Sequence, residues 1–388
     1  MTTLKLQSTL IVLTIALLLS GTAIAAPGKS DELTVYFGTY TDKGGKGIYL
    51  GHLDIASGKL RVAGVAAELE NPSFLAIHPT KPLLYAVGEM GNFQGRKGGA
   101  LSALAINSKT GLLTLLNQKS SQGADPCHLA VDRQGKSLIV VNYSGGSVAS
   151  LPIQSDGRLG DATSFFQHKG ASVNRERQQG PHAHGVTLDA AGRFAFVPDL
   201  GLDKIMIYRI DAATGKLTAN HPAWASATAG AGPRHIAFHP DGRFAYVINE
   251  LNSTMTVFAY DPAAGTLQPL QTASTLPEGF HGANTAAEVV VHPSGKFVYG
   301  SNRGQDSIAV FAIDAATGKI NCIGHQSTQG KSPRNFAIDP SGAYLLAANQ
   351  DSNNVVVFRI DPQSGKLHAT GESVSLPSPV CILMVHTP

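Results

Sequence analysis

Residues 233–272 read PRHIAFHPDGRFAYVINELNSTMTVFAYDPAAGTLQPLQT, and this stretch contains four short apolar runs separated by turn residues. Three of the runs span 236–238, 244–248 and 255–260, and the fourth begins at Leu267. The connections His-Pro-Asp-Gly and Asp-Pro-Ala-Ala-Gly contain residue types that favour tight turns. Because the runs lack the 3.6-residue spacing of an amphipathic helix, the stretch predicts a four-stranded antiparallel sheet with strands a to d.

The same pattern recurs along the chain. Strand a of each copy is preceded by Pro, or by Ala in one copy, at positions 72, 126, 181, 233, 286, 333 and 379. Successive positions are 46 to 55 residues apart. A repeat of this length that consists of strands indicates a β-propeller, in which each repeat forms one blade.

The two ends of the chain complement each other. The last copy supplies only a strand a, at 381–385, whereas the runs 34–40, 47–53 and 60–67 read as strands b, c and d. Joining them gives a seventh blade and leaves no free sheet edge. We therefore predict an all-β fold, a seven-bladed β-propeller over residues 26–388, closed by N- and C-terminal strands in one blade.

The first 25 residues resemble an export signal. Lys5 precedes an apolar run at 10–19, and the small-x-small sequence Ala23-Ile24-Ala25 follows it. The run is too short to span a bilayer, so we expect a secretory signal peptide that is cleaved after Ala25. An uncleaved anchor is the alternative. The remaining chain is expected to be periplasmic or secreted, with no membrane attachment.

Composition excludes several classes of protein. Hydrophobic residues make up 43% of the 388 residues, which argues against disorder. The net charge of +3 is dispersed, so we expect no nucleic-acid partner. Three cysteines cannot form a disulfide framework, and Cys127, Cys322 and Cys381 lie in or beside apolar runs. We expect all three to be buried free thiols, although a pair could oxidise outside the cytoplasm. We expect the protein to be a monomer or a weak oligomer.

Propeller topology predicts where a site should lie. The d–a and b–c loops open on one face, so polar residues before strand a and after strand b should converge on a funnel there. The first set comprises His128, His182, His184, Arg234, His235, Glu288 and Arg334, and the second Tyr40, Glu89, Asn142, Asp199, Glu250 and Arg303. Two longer insertions, 88–99 and 168–180, reach the same face, and the second carries Arg177.

His182-Ala183-His184 is the most distinctive local feature of the funnel. At strand spacing, residues i and i+2 point to the same side of a strand. The two imidazoles could bind a metal, act as a base or substrate contact, or form hydrogen bonds in the channel. A catalytic zinc needs three protein ligands, and no third ligand has a convincing spacing, so we expect no metal.

Arg234 and Glu250 lie at the funnel ends of strands a and b of one blade, and Arg303 occupies the equivalent position to Glu250 one blade on. Two guanidiniums in a funnel suit an anionic ligand or a carbonyl oxygen. The alternative is an ion-pair network that closes the funnel. Glu89 and Glu288 are weaker candidates, since both could be structural or solvated.

Other catalytic and cofactor motifs are missing from the sequence. It contains no Gly-x-Ser-x-Gly elbow and no phosphate-binding Gly-Lys-Ser/Thr loop. The single tryptophan, Trp224, argues against the tryptophan-docked blades of quinoprotein propellers. We therefore expect no cofactor.

Four segments resemble motifs of the seven-bladed lactonase family, which includes the propeller-type 6-phosphogluconolactonases and the fungal carboxymuconate lactonising enzyme. They are SVNRERQQGPHAH at 172–184, GPRH at 232–235, VINELN at 247–252 and SNRGQDSI at 301–308. The resemblance implies metal-free lactone hydrolysis. Its proposed catalytic set of one His, two Arg and one Glu matches His184 or His182, with Arg234, Glu250 and Arg303. Substrate contacts are then expected from His128, Arg177, Glu89, Glu288 and Arg334.

The export signal narrows the expected substrate. A 6-phosphogluconolactone is a cytosolic intermediate, so an exported member of the family would meet unphosphorylated sugar lactones such as glucono-1,5-lactone. The chain is in this respect similar to a periplasmic gluconolactonase. We expect His184 or Glu250 to activate water and the arginines to hold the carbonyl oxygen. The alternatives are a 6-phosphogluconolactonase, a muconate-type lactonising cycloisomerase, and a non-enzymatic periplasmic scaffold.

Overall fold

The computed structural model describes residues 1–2 and 32–386, and within them seven four-stranded antiparallel sheets form the blades of a propeller. The predicted fold class is therefore confirmed. The predicted leader, residues 1–25, lies outside the described residues except for Met1 and Thr2. In the described part of the chain, no helix has the length and apolarity needed to cross a bilayer.

The strands follow the predicted a-to-d order in each blade. Blade 1 begins with β1 (Glu32–Thr39), β2 (Gly47–Asp54) and β3 (Leu60–Glu68). Blade 2 contains β4 (Leu75–Ile77), β5 (Leu83–Gly88), the separate hairpin β6 (Asn92–Phe93) and β7 (Arg96–Lys97), then β8 (Ala100–Ile106) and β9 (Leu113–Ser120). Blade 3 contains β10 (Pro126–Val131), β11 (Ser137–Asn142), β12 (Ser147–Pro152) and β13 (Ser164–Gln167).

The remaining blades have the same arrangement. Blade 4 contains β14 (Thr187–Leu188), β15 (Phe194–Asp199), β16 (Lys204–Ile210) and β17 (Leu217–Ser226). Blade 5 contains β18 (Pro233–Phe238), β19 (Phe244–Asn249), β20 (Thr254–Asp261) and β21 (Thr266–Ser274). Blade 6 contains β22 (Thr285–Val291), β23 (Phe297–Arg303), β24 (Ser307–Ile313) and β25 (Ile320–Ser327). Blade 7 contains β26 (Pro333–Ile338), β27 (Tyr344–Asn349), β28 (Asn354–Ile360) and β29 (Leu367–Ser375).

The ring closes through β30 (Pro379–His386), which supplies the missing strand a of blade 1. It pairs antiparallel with β1, and the register runs from Leu33 opposite His386 to Gly38 opposite Cys381. The two ends of the chain thus share one sheet, as the strand count predicts. Closure leaves no inner strand of blade 1 without a partner.

The core lies between neighbouring blades, because each second strand is apolar on both faces. In β1, Val35 and Phe37 pack against blade 7, whereas Tyr36 packs against blade 2. Alternate side chains of a strand point to opposite faces, so a strand sandwiched between two sheets needs a nearly continuous apolar sequence. This explains why runs such as Phe244–Asn249 are fully buried.

Glycines in the c–d turns allow adjacent blades to approach closely. The hydroxyl of Tyr246 in blade 5 donates to the carbonyl of Gly318 in blade 6, at 3.1 Å. Gly318 has a φ of 69°, and a Cβ atom there would lie 2.3 Å from the ring of Phe244. The recurring glycine of this turn is therefore required both by backbone conformation and by packing.

The prediction that all three cysteines are buried is wrong for one of them. Cys127 and Cys381 are buried free thiols, but Cys322 is exposed. Cys322 lies on β25, the outermost strand of blade 6, in which Ile320 is the one buried residue. An outer strand has a neighbour on one edge only, so an apolar-looking sequence there does not ensure burial.

Deletion of residues 378–388 tests the closure. The truncated protein would lack β30, and the edge of β1 that pairs with β30 would lose its backbone partners, while the edge that pairs with β2 would keep them. We expect it to lose its cooperative thermal transition, measured by circular dichroism or calorimetry, because the ring would be open. Deletion of residues 387 and 388 alone is the control and should leave the melt unchanged. A 378–388 deletion that melts within a few degrees of the full chain would contradict this account of closure.

Candidate functional site

A buried asparagine lies at the end of the second strand, or one residue before it, in four of the blades. Asn142, Asn249, Asn302 and Asn349 are completely buried. The side-chain amide of Asn302, for example, donates to the carbonyl of Thr275 at 2.6 Å. The asparagine therefore fixes the end of the strand, and the next residue enters the funnel. Those next residues are Tyr143, Glu250, Arg303 and Gln350, and Tyr40 and Glu89 occupy the corresponding positions in blades 1 and 2.

This register corrects two of the funnel candidates. Asn142 is part of the scaffold, and it is Tyr143 that reaches the site. Asp199 is likewise buried, accepting from the backbone N–H of His182 at 2.8 Å and lying 2.6 Å from Nδ1 of His168. Alignment of the four asparagines along the sequence would have identified Tyr143.

A cavity of about 350 Å³ opens at this end of the channel. We call it the site cavity, and it is lined by Tyr40, Glu89, Cys127, Tyr143, Arg177, His184, Glu250, Thr285, Arg303 and Arg334. Six of the ten residues predicted for the site are in this set. The other four, His128, His182, Arg234 and Glu288, lie beside or behind the cavity wall. Tyr143, Cys127 and Thr285 were not among the predicted site residues.

Glu250 is bound by three arginines. Its Oε1 lies 2.7 Å from Nη2 of Arg177, and its Oε2 lies 3.1 Å from Nε of Arg234 and 2.9 Å from Nη2 of Arg303. The Glu250 side chain is only 5% exposed. Both carboxylate oxygens are therefore occupied in a poorly hydrated environment, where ion pairing is strong.

This arrangement lowers the basicity of Glu250. Burial alone would raise the pKa of Glu250, but the charges of Arg303, Arg234 and Arg177 lower it to about 2. A carboxylate with so low a pKa accepts a proton poorly near neutral pH. The geometry thus favours a role for Glu250 in holding the arginines over its predicted alternative role as a general base.

Arg234 lies behind the site cavity and does not line it. Its side chain is 2% exposed, and its Nη1 donates to the carbonyl of Ala287 at 2.6 Å. Burial and the nearby charges of Arg303 and Arg334 lower the pKa of Arg234 to about 10, so it is still cationic at neutral pH. Arg234 therefore does not contact a ligand in the cavity directly, and it acts by positioning Glu250.

Arg177 reaches the cavity from the insertion at 168–180. Its Nη2 donates to the hydroxyl of Tyr143 at 3.0 Å as well as to Glu250. The loop is held by Gln178, a fully buried side chain that donates to the carbonyl of Leu200 at 2.8 Å. Since 39% of the Arg177 side chain is exposed, it forms part of the cavity mouth.

Arg334 differs from the other three arginines because no carboxylate of the described residues lies within ion-pair distance of it, although its pKa is raised, against the effect of burial, by the charges of Glu89 and Glu250. Its guanidinium lies over the ring of Tyr40, 5.4 Å from the centroid. Within residues 32–386 its side chain forms no ion pair or hydrogen bond. Tyr40 in turn donates to Glu89, 3.0 Å from Oε2, and Ser73 donates to the same oxygen. Arg334 is therefore the cation lining the site cavity whose N–H groups have no hydrogen-bond partner among the described residues.

The two histidines of the His-Ala-His segment have different positions. The segment is not a regular strand, and only Ala183 forms an isolated bridge, with Asp199. His184 lines the cavity, whereas the ring of His182 stacks on Tyr143 at 4.5 Å outside it. Burial, together with the charge of Arg234, holds the pKa of His184 well below its usual range. His184 is consequently a neutral imidazole that faces the cavity.

His128 and Glu288 lie deeper in the channel. His128 stacks on Phe74 at 3.8 Å and meets His235 edge to face at 4.9 Å. Glu288 lies 2.8 Å from Nδ1 of His235 and accepts from Nδ2 of Asn335 at 2.6 Å. These residues fill the channel beneath the cavity, next to Arg234.

Cys127 contributes a thiol to the cavity wall. Its Sγ lies 3.3 Å from the carbonyl oxygen of His184 and 3.8 Å from Nδ1 of the same residue. Burial raises the pKa of the Cys127 thiol, which keeps it protonated and weakly nucleophilic. Among the described residues, no three His, Cys, Asp or Glu side chains are grouped so that they could hold a metal ion.

Substitution Glu250→Gln tests the arginine cluster. The carboxylate stabilises the fold above its unfolded-state pKa of about 4.5, and this contribution is lost as the pH falls toward the folded value of about 2. We expect the variant to lose about 3 kcal/mol of unfolding free energy at pH 7. The difference from wild type should shrink between pH 5 and pH 3, measured by urea denaturation.

The control for this measurement is Glu278→Gln, at an exposed position. It should change the unfolding free energy little at any pH. A wild-type minus Glu250→Gln difference that stays constant from pH 7 to pH 3 would show that the charge of Glu250 does not hold the cluster together.

Comparison with known proteins identifies the family. The family model described as "Lactonase, 7-bladed beta-propeller" matches residues 34–384. The chain is 36% identical over 351 residues to the 6-phosphogluconolactonase of Bacillus subtilis, covering 90% of this chain and 98% of that protein. It superposes on the periplasmic gluconolactonase of Pseudomonas aeruginosa with a TM-score of 0.86 and 35% identity, over 92% of this chain and 100% of that one. The chain therefore belongs to the seven-bladed β-propeller lactonases, and it is an enzyme of the carboxylic ester hydrolase class.

Proposed function

We propose that the protein hydrolyses an unphosphorylated aldonolactone, such as glucono-1,5-lactone, in the site cavity. The proposal rests on one observation: the neutral imidazole of His184 and the guanidinium of Arg334, which has no ion-pair partner among the described residues, line the same cavity. Lactone hydrolysis needs a proton acceptor for water and a cationic donor for the carbonyl oxygen. Family membership supports the same chemistry.

His184 is the proposed general base. It removes a proton from a water molecule while that water attacks the lactone carbonyl carbon. The charges of the nearby arginines weaken its basicity, but they also keep it unprotonated and therefore ready to accept. Glu250 is the weaker candidate, because both of its oxygens are bound by arginines.

Arg334 and Arg303 are the proposed donors to the carbonyl oxygen. Negative charge grows on that oxygen as the tetrahedral intermediate forms, so fixed cationic donors stabilise the transition state more than the substrate. When the ring C–O bond breaks, the ring oxygen takes the proton that His184 removed from water, and the new carboxylic acid ionises to a carboxylate. Tyr40 supports Arg334 from below through its ring face.

The choice of an unphosphorylated lactone rests on two observations. The sequence begins with a pattern typical of an export signal, and a sugar phosphate would not be the common substrate outside the cytoplasm. The chain also superposes on a periplasmic gluconolactonase. We therefore propose that the protein acts in the periplasm after cleavage following Ala25.

A 6-phosphogluconolactonase is the second candidate, since relatives from Bacillus subtilis and Formosa agariphila have that name. The two activities are distinguished by the ratio of kcat/KM for the phosphorylated and unphosphorylated lactones. If the protein releases protons from these two lactones and from a muconolactone no faster than the spontaneous rate, the scaffold alternative is favoured.

The pH profile tests the role of His184. Because the pKa of His184 is below 6.5, the acid limb of kcat/KM for glucono-1,5-lactone should lie below pH 6.5. We expect His184→Gln to lower kcat by about 10²–10⁴ and to abolish that limb, measured by pH-stat titration. His281→Gln, at an exposed position, is the matched control. A His184→Gln variant that keeps both its rate and its acid limb would exclude His184 as the base.

Arginine variants test which guanidinium meets the substrate. We expect Arg334→Ala to lower turnover by about 10²–10³ with a melting temperature close to that of wild type, and Arg334→Lys to recover part of the loss. Arg234→Ala should lower the melting temperature as well, because it removes a buried partner of Glu250. Parallel kinetics and thermal melts measure both effects. If Arg334→Ala turns over normally, the lactone carbonyl is not bound at Arg334.

A further inference from the structure

A second depression adjoins the site cavity between blades 6 and 7. It encloses about 460 Å³, and we call it the outer hollow. Thr285, Arg303 and Arg334 line both the outer hollow and the site cavity, so these three residues form the junction between them. Beyond the junction the outer hollow is lined by neutral polar side chains, Asn284, Ser332 and Gln350.

The charge of the outer hollow changes along its length. The two guanidiniums lie at its inner end, at the junction. Farther out, Ser332 donates to the carboxylate of Asp351 at 2.5 Å, and its backbone N–H donates to Asp306 at 2.9 Å. Gln350 also donates to Asp351, at 3.1 Å. The carboxylates of Asp306 and Asp351 therefore lie behind the neutral wall. The exposed Lys43 partly offsets this charge, since its Nζ is 3.9 Å from Asp351.

Hydrogen-bonding capacity at this wall suits hydroxyl groups. Asn284 uses its amide to bind Ser253 at 2.8 Å and accepts from the backbone of Gln305 at 3.0 Å, so it is fixed in place. The Nε2 of Gln350 is bound to Asp351, which leaves its Oε1 as an acceptor for a ligand hydroxyl. A neutral acceptor of this kind can bind the O–H donor of a sugar hydroxyl without the need to neutralise a charge.

We propose that the outer hollow is the subsite for the hydroxylated tail of the substrate, with the lactone carbonyl held at the junction by Arg303 and Arg334. This inference rests on the proposed lactonase function and gives the substrate one orientation. The carbonyl faces His184, and the carbon farthest from it lies near Gln350. A phosphate on that last carbon would meet the side of the hollow that is backed by Asp306 and Asp351. The subsite therefore selects a neutral polyol tail over a phosphorylated one.

Charge substitutions at Gln350 test this orientation. The measured quantity is the ratio of kcat/KM for 6-phosphoglucono-1,5-lactone to that for glucono-1,5-lactone at low ionic strength. We expect Gln350→Lys to raise the ratio about fivefold and Gln350→Glu to lower it about fivefold. Gln363→Lys is the matched control, because it adds the same charge at an exposed turn between β28 and β29. It should leave the ratio unchanged.

Binding of the two product acids provides a readout that does not need turnover. Calorimetric Kd values for gluconate and 6-phosphogluconate should change in the same directions in the two Gln350 variants. If the wild type hydrolyses neither lactone, the proposed function is wrong. The ratio of these Kd values then still tests whether the outer hollow binds the end of the ligand that carries the phosphate.

Two results would overturn the proposed orientation. One is a wild-type enzyme that prefers the phosphorylated lactone tenfold or more. The other is a pair of Gln350 variants whose ratios match that of Gln363→Lys.

Discussion

The carboxylate of Glu250 is the interaction on which the site depends. It lies at the end of a strand in blade 5 and binds guanidiniums from blade 5, blade 6 and the insertion at 168–180. Without it, Arg234, Arg303 and Arg334 would lie together in a poorly hydrated region, with the partly exposed Arg177 at its mouth. Like charges in such a region repel strongly, and breaking a buried ion pair typically costs about 3–5 kcal/mol. Glu250 thereby fixes three arginines, and Arg334 is left as the cavity cation that is outside this ion-pair cluster.

The same cluster sets the protonation states that lactone hydrolysis requires. Positive charge near His184 lowers its pKa and keeps the imidazole neutral, while positive charge near Glu250 lowers its pKa to about 2 and keeps the carboxylate ionised. The same positive charges thus leave His184 unprotonated and able to accept a proton, and make Glu250 a fixed counter-ion. In the proposed mechanism the same field also favours the product, since ring opening would place a new carboxylate beside Arg334 and Arg303.

The sequence contains most of the information on the fold and part of that on the site. Repeat spacing and turn glycines predict the blades, because each repeat must bury both faces of its second strand. Comparison of the repeats also shows which positions at the funnel end differ between blades. Six residues predicted for the site line the cavity: Glu89, Arg177, His184, Glu250, Arg303 and Arg334. Tyr143 does not stand out in the sequence, because the polar Asn142 already marks the end of the predicted strand b one residue earlier. The burial of Arg234 and the separation of His182 from His184 depend on packing across the channel. A local sequence pattern does not reveal such packing.

The most direct test of this account is a crystal structure of the protein with gluconate bound. The account predicts the gluconate carboxylate within about 3 Å of the Arg334 guanidinium, with the Glu250 ion pairs intact and the polyol tail in the outer hollow. A gluconate carboxylate that displaces Glu250 from Arg177 or Arg303, and leaves Arg334 without a ligand, would contradict it.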